Sequence, residues 1–220
     1  MELSLIQTIA IYAIPAIFAI TLHEAAHGYV AKHFGDMTAH TQGRISLNPL
    51  RHIDLLGTII IPLLILLATK LMGKGGILFG WAKPVPVNYS ALRHPKRDML
   101  WVAIAGPGAN LLMALLWAAV YKGAGLLQGT IYHVPFLLIG NAGIEVNVAL
   151  MVLNLLPIPP LDGGRVAVSL LPHQLSVRYA RLEPYGFPIL LILLFTNILG
   201  VILSPMIHIS TRAIFWLFRI

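Results

Sequence analysis

Apolar residues come in long blocks along this chain, and polar residues collect between them. Residues 4–30 form the first block, 53–72 the second, 99–121 the third, 136–156 the fourth and 187–203 the fifth. Each is close to the roughly 20 residues that an α-helix needs to cross a hydrocarbon core. A weaker apolar tail, 205–220, carries Arg212 and Arg219 and is expected as a short helix or an interfacial segment. Gly57 and Pro62 interrupt the second block, and the fourth ends at Pro157-Ile158-Pro159-Pro160. The pattern predicts an all-α polytopic membrane protein in which 1–220 is one domain, a bundle of about five to six transmembrane or re-entrant helices.

Two stretches between the blocks read as extended instead. Residues 41–47 (Thr-Gln-Gly-Arg-Ile-Ser-Leu) and 79–88 (Phe-Gly-Trp-Ala-Lys-Pro-Val-Pro-Val-Asn) are rich in turn and β-type residues. Pro84 and Pro86 would confine the second to an edge position, because neither can donate to a ladder.

Composition supports the membrane reading. The chain is 58% hydrophobic and 10% charged, whereas a soluble domain carries about 25% charged residues. Its net charge of +7 would raise the question of nucleic acid in a soluble protein. Here no aromatic-rich basic face exists, so nucleic-acid binding is not expected, and the bases instead mark topology and meet lipid head groups. The linkers 31–52, 73–98 and 163–185 are basic, whereas 122–135 carries only Lys122 and the N-terminus no basic side chain. The three basic linkers are therefore expected in the cytoplasm of a cell whose inner membrane holds the chain. Two of them flank 53–72, so that block is expected to enter and leave on one side as a hairpin bent near Pro62. Met1-Glu2-Leu3-Ser4 lacks the positive region of a signal peptide, so the first block is expected to stay as a helix.

Cysteine is absent, so any metal must be held by His and carboxylates. The first block ends in His23-Glu24-Ala25-Ala26-His27. Histidines four apart share one helix face and can bind one zinc ion. Glu24, beside the first of them, can take a proton from a water on the metal. Ionisable groups inside an apolar helix are costly, which points to function. A third ligand is still needed. Asp162 is one candidate, in a proline-broken segment before Gly163-Gly164, although an aspartate there also suits the N-cap of a helix. Glu145, in the fourth block, is the other.

His23-Glu24-Ala-Ala-His27 in a first apolar segment, then Ala105-Gly106-Pro107, then Asn154-x-x-Pro157-x-x-x-x-Asp162-Gly163, resembles the site-2 protease family of intramembrane metalloproteases over essentially the whole chain. The resemblance implies one zinc ion held by His23, His27 and Asp162, with Glu24 as catalytic acid/base. It implies that Asn154 stands beside the active centre to hold substrate or oxyanion, and that the metal lies near the cytoplasmic face. It further implies a small membrane-associated β-sheet whose edge, 79–88, pairs with an unwound transmembrane protein substrate. No PDZ or regulatory module accompanies the motifs, so the regulation of larger relatives is not carried over.

The remaining histidines, His33, His40, His52, His94, His133, His173 and His208, are expected as solvated or structural. Asn110 and Asn147 lie in apolar blocks and are expected to hydrogen-bond between helices. Trp81, Trp101, Trp117 and Trp216 suit interface anchoring or packing. Two other functions remain open at this level. One is a prenyl-protein-type zinc protease using Glu145. The other is a non-catalytic zinc-binding protein or transporter.

Overall fold

A computed structural model describes residues 4–67, other than 62 and 66, and residues 82–220. Seven main helices appear among them: α1 (Leu5–His33), α2 (Pro95–Gly123), α3 (His133–Asn154), α4 (Asp162–Leu170), α5 (His173–Ala180), α6 (Glu183–Phe195) and α7 (Ile198–Phe218). Among the described residues, α1, α2, α3 and α7 are long and apolar enough to cross a membrane.

Local chemistry sets where these helices begin. Ser4 Oγ accepts from Gln7 N and Gln7 Oε1 accepts from Ser4 N, which satisfies two backbone donors at the start of α1. Pro95 opens α2, a position where its missing N–H is no loss. Asp98, in the first turn, accepts from His94 N at 2.8 Å.

The first three long helices run antiparallel in sequence order. Arg93 N donates to Phe34 O, which puts the start of α2 beside the end of α1. His133 Nδ1 lies 2.8 Å from Ala124 O, which puts the start of α3 beside the end of α2. Lys122 donates to Phe218 O at 2.7 Å, so α7 finishes at that same end. The described parts of the basic linkers, the end of α1 and the end of α3 therefore share the opposite end.

On α2 the buried positions Val102, Gly106, Pro107, Asn110, Ala114 and Ala118 recur every three or four residues and form one stripe. They are mostly small, so neighbouring backbones come close; in lipid, such packing replaces the exclusion of water as the force between helices. Ala114 and Ala118 meet Ile144, Val148, Met151 and Val152 of α3 and Ile214 of α7 in one core. At Gly143, a Cβ would lie 2.2 Å from Trp117 Cγ, so only glycine lets α3 approach that ring. Packing is thus the role of Trp117, while Trp81 lies outside the described residues.

Three expectations are revised or only partly reached. Residues 82–88 are extended, but no strand exists among the described residues, and the small β-sheet is not supported. The donors of 82–88 go elsewhere: Lys83 N to His52 O, Val85 N to Glu24 Oε2 and Asn88 N to Asp36 Oδ2. Pro84 and Pro86 have none. Across from them, the Arg44 guanidinium bonds Lys83 O and Pro84 O, each at 3.1 Å, and Arg51 O at 2.6 Å. A side chain thus links 41–47 to this stretch where a ladder was expected. Residues 79–81 lie outside the described residues.

The last two apolar segments divide differently from the sequence pattern. The break falls at Thr196-Asn197 rather than between 203 and 205. Thr196 Oγ1 bonds back to Ile192 O at 2.7 Å, and Asn197 adopts φ 62°, a left-handed conformation that asparagine tolerates. Pro205 lies inside α7, which includes the tail. In 53–72, Asp54 caps a π-helical turn over Leu55–Ile60 through Gly57 N. The bend at Pro62 and the end of the hairpin lie outside the described residues.

Candidate metal centre

His23 and His27 lie on one face of α1, and both are more than 90% buried. α2 passes directly over them at Gly106, where a Cβ would stand 2.4 Å from His27 Nε2 and 2.6 Å from His23 Nε2. Any side chain at Gly106 would occupy the space between the two rings.

Asp162 arrives from the other side. It is the first residue of α4, with Leu161 as the cap, so its side chain does not cap the helix. Gly163 brings that first turn against the end of α3, because a Cβ there would fall 2.3 Å from Leu155 O and Leu156 O. The approach leaves Asp162 Oδ2 3.1 Å from His23 Nε2 and 3.3 Å from His27 Nε2. The two Nε2 atoms are themselves 3.1 Å apart.

These three atoms form a set that could hold a cation. His27 Nδ1 lies 2.7 Å from Val102 O. A carbonyl only accepts, so the proton of the neutral ring sits on Nδ1 and Nε2 presents a lone pair. His23 Nδ1 likewise lies 2.6 Å from Asn110 Oδ1. Asp162 Oδ2 is buried without a hydrogen-bond donor. Two imidazole lone pairs and a carboxylate oxygen thus converge, and a single proton could join only two of them. The edges of a tetrahedron with zinc bonds of 2.0–2.1 Å are about 3.3 Å, close to the separations found. Among the described residues, His23, His27 and Asp162 form the one group able to share a metal ion.

Other expected site residues fall around this centre. Glu24 is partly buried, and its Oε2 accepts from Val85 N at 2.7 Å. The 82–88 stretch is thereby pinned to the residue next to the first histidine. Asn154 is the last residue of α3, and its amide donates to Leu150 O at 3.0 Å. Glu145 is not with the histidines: Tyr12 OH donates to its Oε2 at 2.6 Å and Asn141 Nδ2 to its Oε1 at 2.7 Å. Glu145 is therefore not placed as a third ligand, and its Oε2 instead ties α3 to α1 while its Oε1 is held within α3. Sequence reasoning gave no site role to Gly106 or to the carbonyl of Val102. Pro107-Gly108 beside Gly106 signals close packing, but nothing in the sequence shows what is packed; the carbonyl leaves no signal at all.

Comparison with known proteins agrees with this site. The chain is 36% identical over 208 residues to "Putative zinc metalloprotease YwhC" of Bacillus subtilis, covering 93% of the chain and 89% of that protein. It is 30% identical over 185 residues to "Putative zinc metalloprotease Rip2" of Mycolicibacterium smegmatis, covering 84% of the chain and 66% of that protein. Against Rip2 of Mycobacterium tuberculosis strain Erdman the identity is 31% over 174 residues, and the chain spans 55% of the length. No family model and no solved structure matches the chain.

Proposed function

The chain belongs to the site-2 protease family of zinc metalloproteases, and on that premise we propose that it is an endopeptidase that cleaves transmembrane or membrane-adjacent segments of other proteins within the bilayer. The observation that carries this reading is the convergence of His23, His27 and Asp162 among helices of membrane-spanning length. In this reading the three hold one zinc ion. Zinc, when bound, acidifies a coordinated water and polarises the scissile carbonyl.

The chain's own residues then have distinct tasks. Glu24 accepts the proton of the attacking water and passes it to the leaving amine. The Val85 N–H bond engages Oε2, and a carboxylate held through one oxygen can accept a proton on the other. Asn154, at the end of α3, donates its amide towards the oxygen on which charge develops; that amide now bonds Leu150 O and would turn from it. Burial of the two histidines excludes bulk water from the ligand set.

The described parts of the basic linkers lie at the metal end of the bundle, and in this reading the positive-inside rule puts that end in the cytoplasm. The surrounding partners are the lipid bilayer and the transmembrane segment of a protein substrate.

The test is Glu24→Gln in the detergent-purified chain, with zinc quantified and a model transmembrane substrate assayed. Retained zinc with lost cleavage is expected. Cleavage at the unaltered rate would remove Glu24 from the mechanism, and absence of zinc from the unaltered chain would remove the metal reading.

A further inference from the structure

Two asparagines lie behind the metal centre, each wholly buried: Asn110 on α2 and Asn147 on α3. Asn110 Oδ1 is 2.6 Å from His23 Nδ1. Asn110 Nδ2 donates to Asn147 Oδ1 at 3.1 Å and to Ala19 O at 3.2 Å. Asn147 Nδ2 in turn donates to Gly143 O at 2.8 Å.

The direction of every bond in this chain follows from its end. A backbone carbonyl can only accept, so the amide nitrogen of Asn147, not its oxygen, must face Gly143 O. The Asn147 oxygen is then left to face Asn110, where it too only accepts. The nitrogen of Asn110 must therefore face Asn147 and Ala19 O, and its oxygen must face His23. An oxygen there requires a proton on His23 Nδ1, and the Nε2 lone pair is left pointing at His27 Nε2 and Asp162 Oδ2. An Asn110 amide turned the other way would set its oxygen against two acceptors, Asn147 Oδ1 and Ala19 O, unrelieved by water at a fully buried position.

We propose that Asn110 is a positioning residue that sets the ring tautomer and orientation of His23 for the metal, and that Asn147, one helix further away, positions Asn110 for that task. This rests on the zinc reading above. It differs from the arrangement at His27, whose Nδ1 proton is fixed directly by Val102 O. The centre therefore has one ligand set by α2 backbone and one set by a side-chain relay across three helices. Groups behind a metal-bound histidine are worth about 10–100-fold in metal affinity.

The test uses the full chain in detergent, first free of zinc and then titrated with zinc against a competing chelator. Long-range proton–nitrogen spectra of histidine-labelled protein report the tautomer of each ring, with His23 and His27 assigned from their Gln variants. In the zinc-free unaltered chain both rings carry the proton on Nδ1. In Asn110→Leu, His23 is expected to lose that preference while His27 keeps it, and zinc affinity is expected to fall about 10–100-fold. A merely structural loss would disturb both rings together. Asn147→Leu leaves every group that touches His23 in place, and is expected to cause a smaller shift of the same kind; it also decides the matter if Asn110→Leu does not fold. An unchanged His23 tautomer in both variants, or unchanged zinc affinity in both, overturns the proposal. If the unaltered chain takes up no zinc, the metal reading fails instead, and the tautomer spectra still decide the role of the asparagines.

Discussion

Replacing Gly106 by Ala is expected to weaken the metal centre severely while leaving the bundle folded. The new Cβ would stand 2.4 Å from His27 Nε2 and 2.6 Å from both Nε2 and Cε1 of His23. Unstrained carbon contacts begin at about 3.5 Å, so the rings would have to withdraw by roughly 1 Å. Ligand distances in a working metal site vary by only about 0.2 Å. Neither ring can simply retreat, because His27 Nδ1 is held to Val102 O at 2.7 Å and His23 Nδ1 to Asn110 Oδ1 at 2.6 Å. Breaking one such bond at a buried site costs about 1–3 kcal/mol. If both give way the folded chain loses at least about 2 kcal/mol, and the displaced rings no longer present Nε2 to a metal. The control is Gly108→Ala, two positions along, where a Cβ meets nothing within 4 Å. That change should leave zinc affinity alone and stabilise α2 by up to about 1 kcal/mol through helix propensity. The assay is zinc competition with a chelator on the purified chain, alongside thermal unfolding. Unchanged zinc affinity in Gly106→Ala would refute the assignment of Nε2 atoms to the metal, because the methyl group would occupy their meeting point.

Two further outcomes follow from the same geometry. Asp162→Ala should strip zinc from the purified chain while Glu145→Ala retains it, since Glu145 bonds Tyr12 and Asn141 and not the histidines; zinc analysis of the two variants checks this, and the reverse pattern would exchange their roles. Gly143→Ala should destabilise the bundle by about 1–3 kcal/mol, read as a lower unfolding temperature with zinc stoichiometry unchanged, because its Cβ would meet the Trp117 ring at 2.2 Å.

Much of this molecule is legible in one dimension because its main constraints are local. Length and apolarity of a run decide whether a helix can cross a bilayer, and both are properties of contiguous residues. The i, i+4 spacing of His23 and His27 needs only a helix to place them together. Hydrophobic runs did not, however, locate the break before α7. That break depends on the back-bond of Thr196 and the left-handed Asn197, which apolarity alone does not register. The extended character of 82–88 was equally visible, but its bonding partners were not. Side chains of Glu24, Asp36 and Arg44 take up groups that a strand ladder would have used.

The sequence by itself determined the apolar helices, the histidine pair and the list of possible third ligands. Choosing between Asp162 and Glu145 was left to tertiary structure, because both are acidic residues far along the chain and only packing shows which meets the histidines. The close turn at Gly163 carries Asp162 to within 3.1 Å of His23, while Glu145 is held by Tyr12. The same is true of the surroundings. Gly106 leaves the space between the two Nε2 atoms clear, and Val102 O stands against Nδ1 of one ring and Asn110 Oδ1 against Nδ1 of the other. A glycine, a carbonyl and an amide have no metal chemistry of their own to advertise in a sequence, and they acquire a role only where the fold sets them against the imidazoles.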